Sequence, residues 1–442
     1  MRIRFLLSLL LAVGIGTTQA QASGRLIVHV LGGLSLLQAD CLVAGCSVSE
    51  SIDGNLGQVF LVSVPDFLNV SVVQGLLAGL GGVLNVEPDL VAQVADSGYT
   101  IPPALTDTTP VSYYGATVPD GYVNQPAAGI VRLFDVRAAY PQATGAGVVA
   151  VIDTGVDPNH PALQGVLLPG YDFTRNQSGA DETLDVALSS PPDTSGNQPN
   201  WVRGDGSGHV SQSTAAVVDQ STAAVVDGNP QYSDFGHGTM VAGVIHLVAP
   251  TAKILPLKAF RSDGTGYTSD ILRAIYMAIQ LHANVVNMSF NLASYSQEVA
   301  TALTLATLDG TIAVAAAGNS GADTVVYPAA LWDVMGIAST TNSDQLSSFS
   351  NYGPQLVWLG APGEGIVTTY PFSTYAAAWG TSFSTPFVSG TAAVMLSVNG
   401  FCDQYASSHS AAHAKPVNQN LGNGRLDMYQ SVQAWSQVSG GH

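Results

Sequence analysis

Three short segments carry a carboxylate, an imidazole and a hydroxyl in settings suited to nucleophilic chemistry. Asp153 ends the apolar run Val148-Val149-Ala150-Val151-Ile152 and is followed by Thr154-Gly155. A carboxylate at the carboxyl end of a buried parallel strand lies where open α/β sheets place their sites, although many α/β folds have such an aspartate. Gly145-x-Gly147 precedes the strand, so it is not a dinucleotide-binding fingerprint. His237 lies in Gly236-His237-Gly238-Thr239-Met240-Val241-Ala242-Gly243, at the start of an apolar helical stretch. Its flanking glycines let backbone crowd the imidazole, and a base at a helix N-terminus opens onto a cleft. The other histidines, His160, His209, His246 and His282 among them, lack such surroundings and read as structural or surface groups. Ser382 lies in Gly380-Thr381-Ser382-Phe383-Ser384-Thr385-Pro386 and opens a helix running to Val398. Its hydroxyl would feel the positive end of the helix dipole; the plainer reading is an N-cap. Ser384, further into the same turn, is the rival hydroxyl, and the segment is not a G-x-S-x-G elbow.

Strands and helices must alternate to position these groups. Apolar runs at 148–152, 254–257, 285–288, 312–316 and 334–338 read as strands, and 237–247, 269–281, 297–308 and 382–398 as helices. That alternation predicts an α/β fold, a doubly wound, mostly parallel sheet with helices on both faces, over residues 125–436, with a tail at 437–442. Ahead of it, residues 24–96 read as a small α+β domain, with strands at 25–30, 58–64 and 83–86 and a helical period between Pro65 and Gly81. Residues 97–124 lack periodicity and read as a linker or processing region. Residues 174–235 are polar and read as a surface insertion, in which Gln212–Asp219 recurs as Gln220–Asp227. Two copies cannot build a solenoid, so the repeat reads as a duplication tolerated in a loop.

The chain order Asp, His, Ser differs from the chymotrypsin and α/β-hydrolase orders. The Asp-Thr-Gly, Gly-His-Gly-Thr and Gly-Thr-Ser segments closely resemble the three signature blocks of the subtilase family. The similarity runs from about Gln125 to Trp435 and includes Gly422-Asn423-Gly424-Arg425-Leu426-Asp427. The resemblance implies a serine endopeptidase acting through Asp153, His237 and Ser382. In Ala315-Ala316-Ala317-Gly318-Asn319-Ser320-Gly321 it assigns Asn319 as an oxyanion donor. It also implies that substrate lies as an extended strand between Gly264-Thr265-Gly266 and Met288-Ser289-Phe290-Asn291. Pocket walls are then expected at Ser289–Asn291 and Ala315–Gly318, with Val326 at the base shortening the P1 pocket toward modest apolar side chains. Phe290-Asn291 stands where relatives commonly have Leu-Gly. By the same resemblance, more weakly, the N-terminal unit is an inhibitor-like propeptide of a self-processed zymogen, closing at Val86-Glu87-Pro88-Asp89.

Composition limits the partners. The chain is 46% hydrophobic and 10% charged, with a net charge of −18 and lysines only at 253, 258 and 415, a balance that repels nucleic acid and anionic lipid. Arg2 and Arg4 before an apolar stretch from Phe5 to Ile15, then small residues, read as a signal peptide over 1–22; the apolar run is short for a membrane anchor. The expectation is a secreted (extracellular or periplasmic) monomer whose partners are polypeptide substrates and its own propeptide. No cofactor is expected. The helix from His237 runs directly into Val248-Ala249-Pro250, without the inserted loop that forms a strong calcium site in several members of the resembled family, so no high-affinity site is expected there. Asp172, Asp181, Asp185 and Asp205 are able to bind calcium weakly. Cys41 and Cys46 are close enough for a small-loop disulfide, and Cys402 reads as a buried small hydrophobe. Two other readings remain open: a catalytically silent secreted binding protein on the same fold, and a membrane-tethered processing protease.

Overall fold

Alternation along Arg25–Val30 (β1) sends Leu26, Val28 and Val30 into one core and Ile27 into another. The computed structural model in which this is seen describes residues 24–93, 102–186, 216–217, 232, 234–292, 294–401 and 420–437. After β1 come helix Gly33–Ala44 (α1), strands Ser47–Ser51 (β2) and Val59–Ser63 (β3), helix Val70–Ala78 (α2) and strand Val83–Pro88 (β4). The four strands form an antiparallel sheet in the order β2-β3-β1-β4. Asn69 caps α2 by accepting from the Ser71 and Val72 amides. Cys41 and Cys46 are joined by a disulfide. Residues 24–88 thus form a small α+β unit, and Ile27, Ile52, Val59 and Leu61 on its outer sheet face merge with the core of the larger domain.

Residues beyond the unit do not behave as a linker. Val91–Gln93 (β5) joins a strand of the larger domain, described below. From residue 102 the chain, expected to be a linker as far as 124, builds the hairpin Pro110–Tyr113 (β6) and Ala116–Pro119 (β7) and the short helix Asp120–Val123 (α3). Two tyrosines explain the difference. Tyr113 and Tyr122 are buried, and their hydroxyls donate to the Leu247 and Gly243 carbonyls at 2.7 Å each. Short helices Pro126–Ile130 (α4) and Leu133–Ala139 (α5) follow.

The main sheet is built from Val148–Asp153 (β8), Tyr171–Asp172 (β9), Gln177–Ser178 (β10), Lys253–Lys258 (β12), Val285–Met288 (β14), Ile312–Ala316 (β15), Val334–Thr340 (β16) and Leu359–Pro362 (β17). Its order is β10-β9-β12-β8-β14-β15-β16-β17, parallel except at the β10 edge. Alternate residues serve two cores: Val149, Val151, Ile312 and Val314 face His237–Val248 (α6) and Thr381–Asn399 (α9). Ala150, Ile152, Ala313 and Ala315 face Thr268–Gln280 (α7) and Gln297–Leu308 (α8). Helices therefore cover both faces, as the strand–helix alternation predicted. Thr265–Tyr267 (β13) pairs antiparallel with β5. A smaller sheet joins Ala216–Val217 (β11), within the first copy of the repeat, to Thr374–Ala378 (β19) and Ile366–Tyr370 (β18). Helix Met428–Gln437 (α10) closes the fold. Residues 1–22, the second repeat copy, Asp205, Cys402 and residues 438–442 lie outside the described residues. Among the described residues no helix is long and apolar enough to cross a membrane.

His246 on α6 is buried beneath the β6–β7 hairpin, its ring 5.5 Å from that of Tyr113. Neither ring nitrogen has a hydrogen-bond partner among the described residues. Burial above all, then the nearby His160 and Arg137, pushes its pKa down to about 4. The unfolded chain takes up this proton near pH 6.5, the folded chain only near pH 4, so stability falls as pH drops through that window. Its contribution to the acid loss is roughly 3 kcal/mol at most. His246→Phe is expected to flatten the pH dependence between pH 6.5 and 4, read by urea denaturation at a series of pH values.

Candidate active site

Asp153, at the carboxyl end of β8, and His237, the first residue of α6, meet inside the domain. The Asp153 carboxylate Oδ1 accepts from His237 Nδ1 at 2.7 Å and from the Thr154 amide at 2.8 Å. Both side chains are almost fully buried. The approach requires glycine: a Cβ on Gly238 would lie 1.9 Å from the Gly155 carbonyl oxygen. Thr154 completes the junction, its hydroxyl accepting from the Gly238 amide at 2.9 Å.

Sequence reasoning missed the group that braces this junction. Glu182, in the segment expected to be a surface insertion, is fully buried. Its Oε2 accepts from the Thr154 hydroxyl and the Gly236 amide, both at 2.9 Å. Its Oε1 accepts from the Thr239 amide at 3.0 Å and from the Thr239 hydroxyl. One carboxylate therefore holds the turn after Asp153 against the first turn of α6. Burial raises its pKa to about 7 against the pull of Thr239, Lys258 and Thr154. Lys258, buried at the end of β12 beside Asp153, donates to the Thr154 and Phe260 carbonyls at 2.5 and 2.8 Å and to Asp185 at 2.8 Å. No local signal marks Glu182: it is more than 20 residues beyond Asp153, in a polar stretch.

Ser382 enters from the opposite side, in the first turn of α9. Gly380 precedes it with φ +141, and a Cβ there would sit 3.1 Å from the Asn319 amide nitrogen. Asn319 is held by its oxygen, which accepts from the Thr381 amide at 2.9 Å and hydroxyl at 2.8 Å. Its amide nitrogen is thereby turned toward the Gly380–Ser382 backbone. The Ser382 hydroxyl donates to the Ser289 carbonyl at 3.1 Å, and the Ser289 hydroxyl returns a bond to the Ser382 carbonyl at 2.8 Å. Phe383 sets this turn against the imidazole, its ring 5.3 Å from that of His237. Ser384 points elsewhere, packed beside Gly363 and Ser339.

Of the two expected substrate edges, Gly264, Thr265 and Gly266 lead into β13, and the chain's own β5 pairs along that strand. Ser289–Asn291 and Ala315–Gly318 follow the paired ends of β14 and β15. Phe290 departs from its expected place on the pocket wall: it is buried against Phe260, ring centroids 4.8 Å apart, because the apolar layer under the sheet has room for it. Val326 is half-buried and lies beside Tyr327, whose carbonyl accepts from the Leu292 amide at 2.7 Å.

Of the four carboxylates considered for calcium, two are engaged by cations of the chain. Asp172 pairs with Arg175 at 2.6 Å, and Asp185 with Lys258 and Arg175. Asp181 accepts from the Thr183 amide and hydroxyl. Among the described residues no group of three or more His, Cys, Asp or Glu side chains gathers to hold a metal.

Two measurements test this arrangement. Glu182→Gln sets an NH2 donor against donors already in place, so stability is expected to fall by about 1–3 kcal/mol. Turnover should fall with it; unchanged urea melting and kcat would show that the brace is dispensable. Because Arg175 and Lys258 neutralise the acidic loop, thermal midpoints in chelator and in calcium are expected to coincide, and a large drop in chelator would contradict that.

The chain resembles known proteins along most of its length. Residues 145–424 match the Peptidase_S8 description, the subtilase family. Thermitase of Thermoactinomyces vulgaris is 32% identical over 299 residues, covering 67% of this chain and 92% of that protein. Subtilisin BL of Lederbergia lenta is 36% identical over 209 residues, 45% of this chain and 76% of its own. In three dimensions the chain is similar to fervidolysin of Fervidobacterium pennivorans, described as a keratinolytic enzyme related to subtilisin. The TM-score is 0.69 at 20% identity, over 93% of this chain and 61% of that one. With the fold, the sheet order and the family match in agreement, the chain belongs to the subtilase family of serine endopeptidases.

Proposed function

We propose that Asp153, His237 and Ser382 are the catalytic triad of a secreted endopeptidase made as a self-inhibited precursor. The observation that carries this is the 2.7 Å bond between Asp153 and His237 Nδ1, made beside the α9 turn that presents Ser382. That bond fixes the tautomer with Nε2 as the base. With a peptide bound, the Ser382 hydroxyl turns from the Ser289 carbonyl toward Nε2 and gives up its proton there. Its oxygen bonds to the scissile carbonyl carbon. The carbonyl oxygen becomes an oxyanion facing the Asn319 amide and the Ser382 backbone N–H. The C–N bond then breaks, the leaving amine takes the proton from His237, and water hydrolyses the acyl-enzyme by the same route.

Residues 24–96 act in this reading as the propeptide, and the peptidase domain begins with the segment that builds β6 and β7. The way the small unit docks supports it. Glu87 accepts from the Gln297 amide at 3.0 Å and from the Ser296 hydroxyl at the start of α8. Asp89 accepts from the Ser269 amide and hydroxyl at 2.8 and 2.9 Å at the start of α7, and from Arg25 at 2.8 Å. Two carboxylates thus dock on two helix N-termini. Beyond them, β5 pairs with Thr265–Tyr267, so the unit's own chain takes the edge that an extended substrate would use. The signal-like residues 1–22 support export.

Ser382→Ala tests the reading. Peptidase activity should fall by several orders of magnitude, with only residual catalysis left. The variant should accumulate as a folded precursor that keeps the N-terminal unit, whereas Ser384→Ala matures as wild type does. Casein hydrolysis blocked by a serine-directed phosphonate completes the case. Maturation of Ser382→Ala in a host free of other proteases would overturn it, and a wild-type protein silent toward casein would favour a binding role.

A further inference from the structure

Strands β14 and β15 pair in parallel as far as Met288 and Ala315, and beyond that pair the two chains part. The segments at and beyond that point, Ser289–Asn291 and Ala315–Gly318, are the walls expected of the substrate slot, and the Ser382 hydroxyl rests on the Ser289 carbonyl. Asn291 crosses this slot. With its amide oriented to satisfy its neighbours, the nitrogen donates to the Phe290 carbonyl at 3.1 Å and to the Ala316 carbonyl at 3.2 Å. On the far wall, a Cβ added to Gly318 would meet the end of the same amide at 2.8 Å. The side chain is half-buried, as expected of a group lining a cleft. Where the ladder between the strands ends, one side-chain amide continues it from wall to wall.

We propose that Asn291 is the specificity-determining residue of the slot, a crossbar that admits only small side chains, glycine or alanine, at the substrate position preceding the cleaved bond. This rests on the reading of Ser382 as nucleophile. A short side chain ends above the amide. A long one must push the amide out and leave the Ala316 carbonyl without its donor inside the cleft, so the limit is a polar cost added to a steric one. The departure from the Leu-Gly pair of relatives therefore acts through its second residue; Phe290 is buried against Phe260 and cannot line the slot.

The experiment compares mature wild type, Asn291→Gly, Asn291→Ala and Val326→Gly, each normalised by phosphonate titration of active sites. Substrates are peptides that differ only in Ala, Leu or Phe before the cleaved bond. Wild type is expected to prefer Ala over Phe by about tenfold or more in kcat/KM. Asn291→Gly should shift the Phe-to-Ala ratio of kcat/KM toward Phe by about the same factor. If that variant fails to mature, Asn291→Ala, which also lacks the amide, decides. The proposal is overturned if wild type takes Phe as readily as Ala, or if Val326→Gly opens the site and the Asn291 variants do not. A wild-type protein with no titratable serine would instead bring down the assignment of Ser382.

Discussion

The bond between Asp153 and His237 sets the tolerance for everything around it. Its partners lie 84 residues apart, on a strand end and a helix start, and must be held at 2.7 Å. Backbone alone cannot hold them, because α6 meets the turn after β8 only where Gly238 has no side chain. Polar groups make up the difference: Glu182 accepts four hydrogen bonds that fasten both segments, and Lys258 anchors the turn from behind. Such a buried network is worth having only when fully satisfied. Here the Thr154 hydroxyl both accepts from Gly238 and donates to Glu182. The Thr239 hydroxyl likewise accepts from the Asp157 amide while donating to Glu182.

On the serine side rigidity comes from a different source. A chain of buried polar groups runs from Ser389 to Asn287 and Ser289 and ends on the Ser382 carbonyl. It ties α9 to β14 while leaving the serine hydroxyl on a single weak acceptor. Thr381 does the same for Asn319, holding its oxygen so that its nitrogen is aimed. Side chains outside the proposed triad thus fix those proposed to react, and preorganisation of this kind costs no rearrangement during reaction.

Much of this was legible in the sequence where the signal is local and periodic. The five core strands and four long helices follow from apolar runs, and the Asp, His and Ser segments each stand at an element boundary. Three features were hidden for physical reasons. Helix α1 carries exposed Leu34, Leu42 and Val43 beside buried Leu37 and Cys41, so no apolar stripe marks it. The hairpin of β6 and β7 and the α3 helix after it are each tied down by a tyrosine hydroxyl that reaches a carbonyl more than a hundred residues away. Glu182 sits in a polar stretch whose composition suggests solvent, and only the donors that converge on it explain its burial.

In the proposed reading, the pairing of β5 with β13 has a consequence for how long the cleft stays occupied. Hydrogen bonds between main chains do not read side chains, so this edge cannot tell the chain's own segment from a foreign one. While the segment is joined to the domain it competes as a tethered ligand, at an effective concentration of the order of millimolar. Severed from the domain, the same residues stay only as long as the unit's shared core and its Glu87 and Asp89 contacts hold, and dilution clears them once those let go. Occupancy of the edge is then governed by connectivity more than by the strength of any single contact.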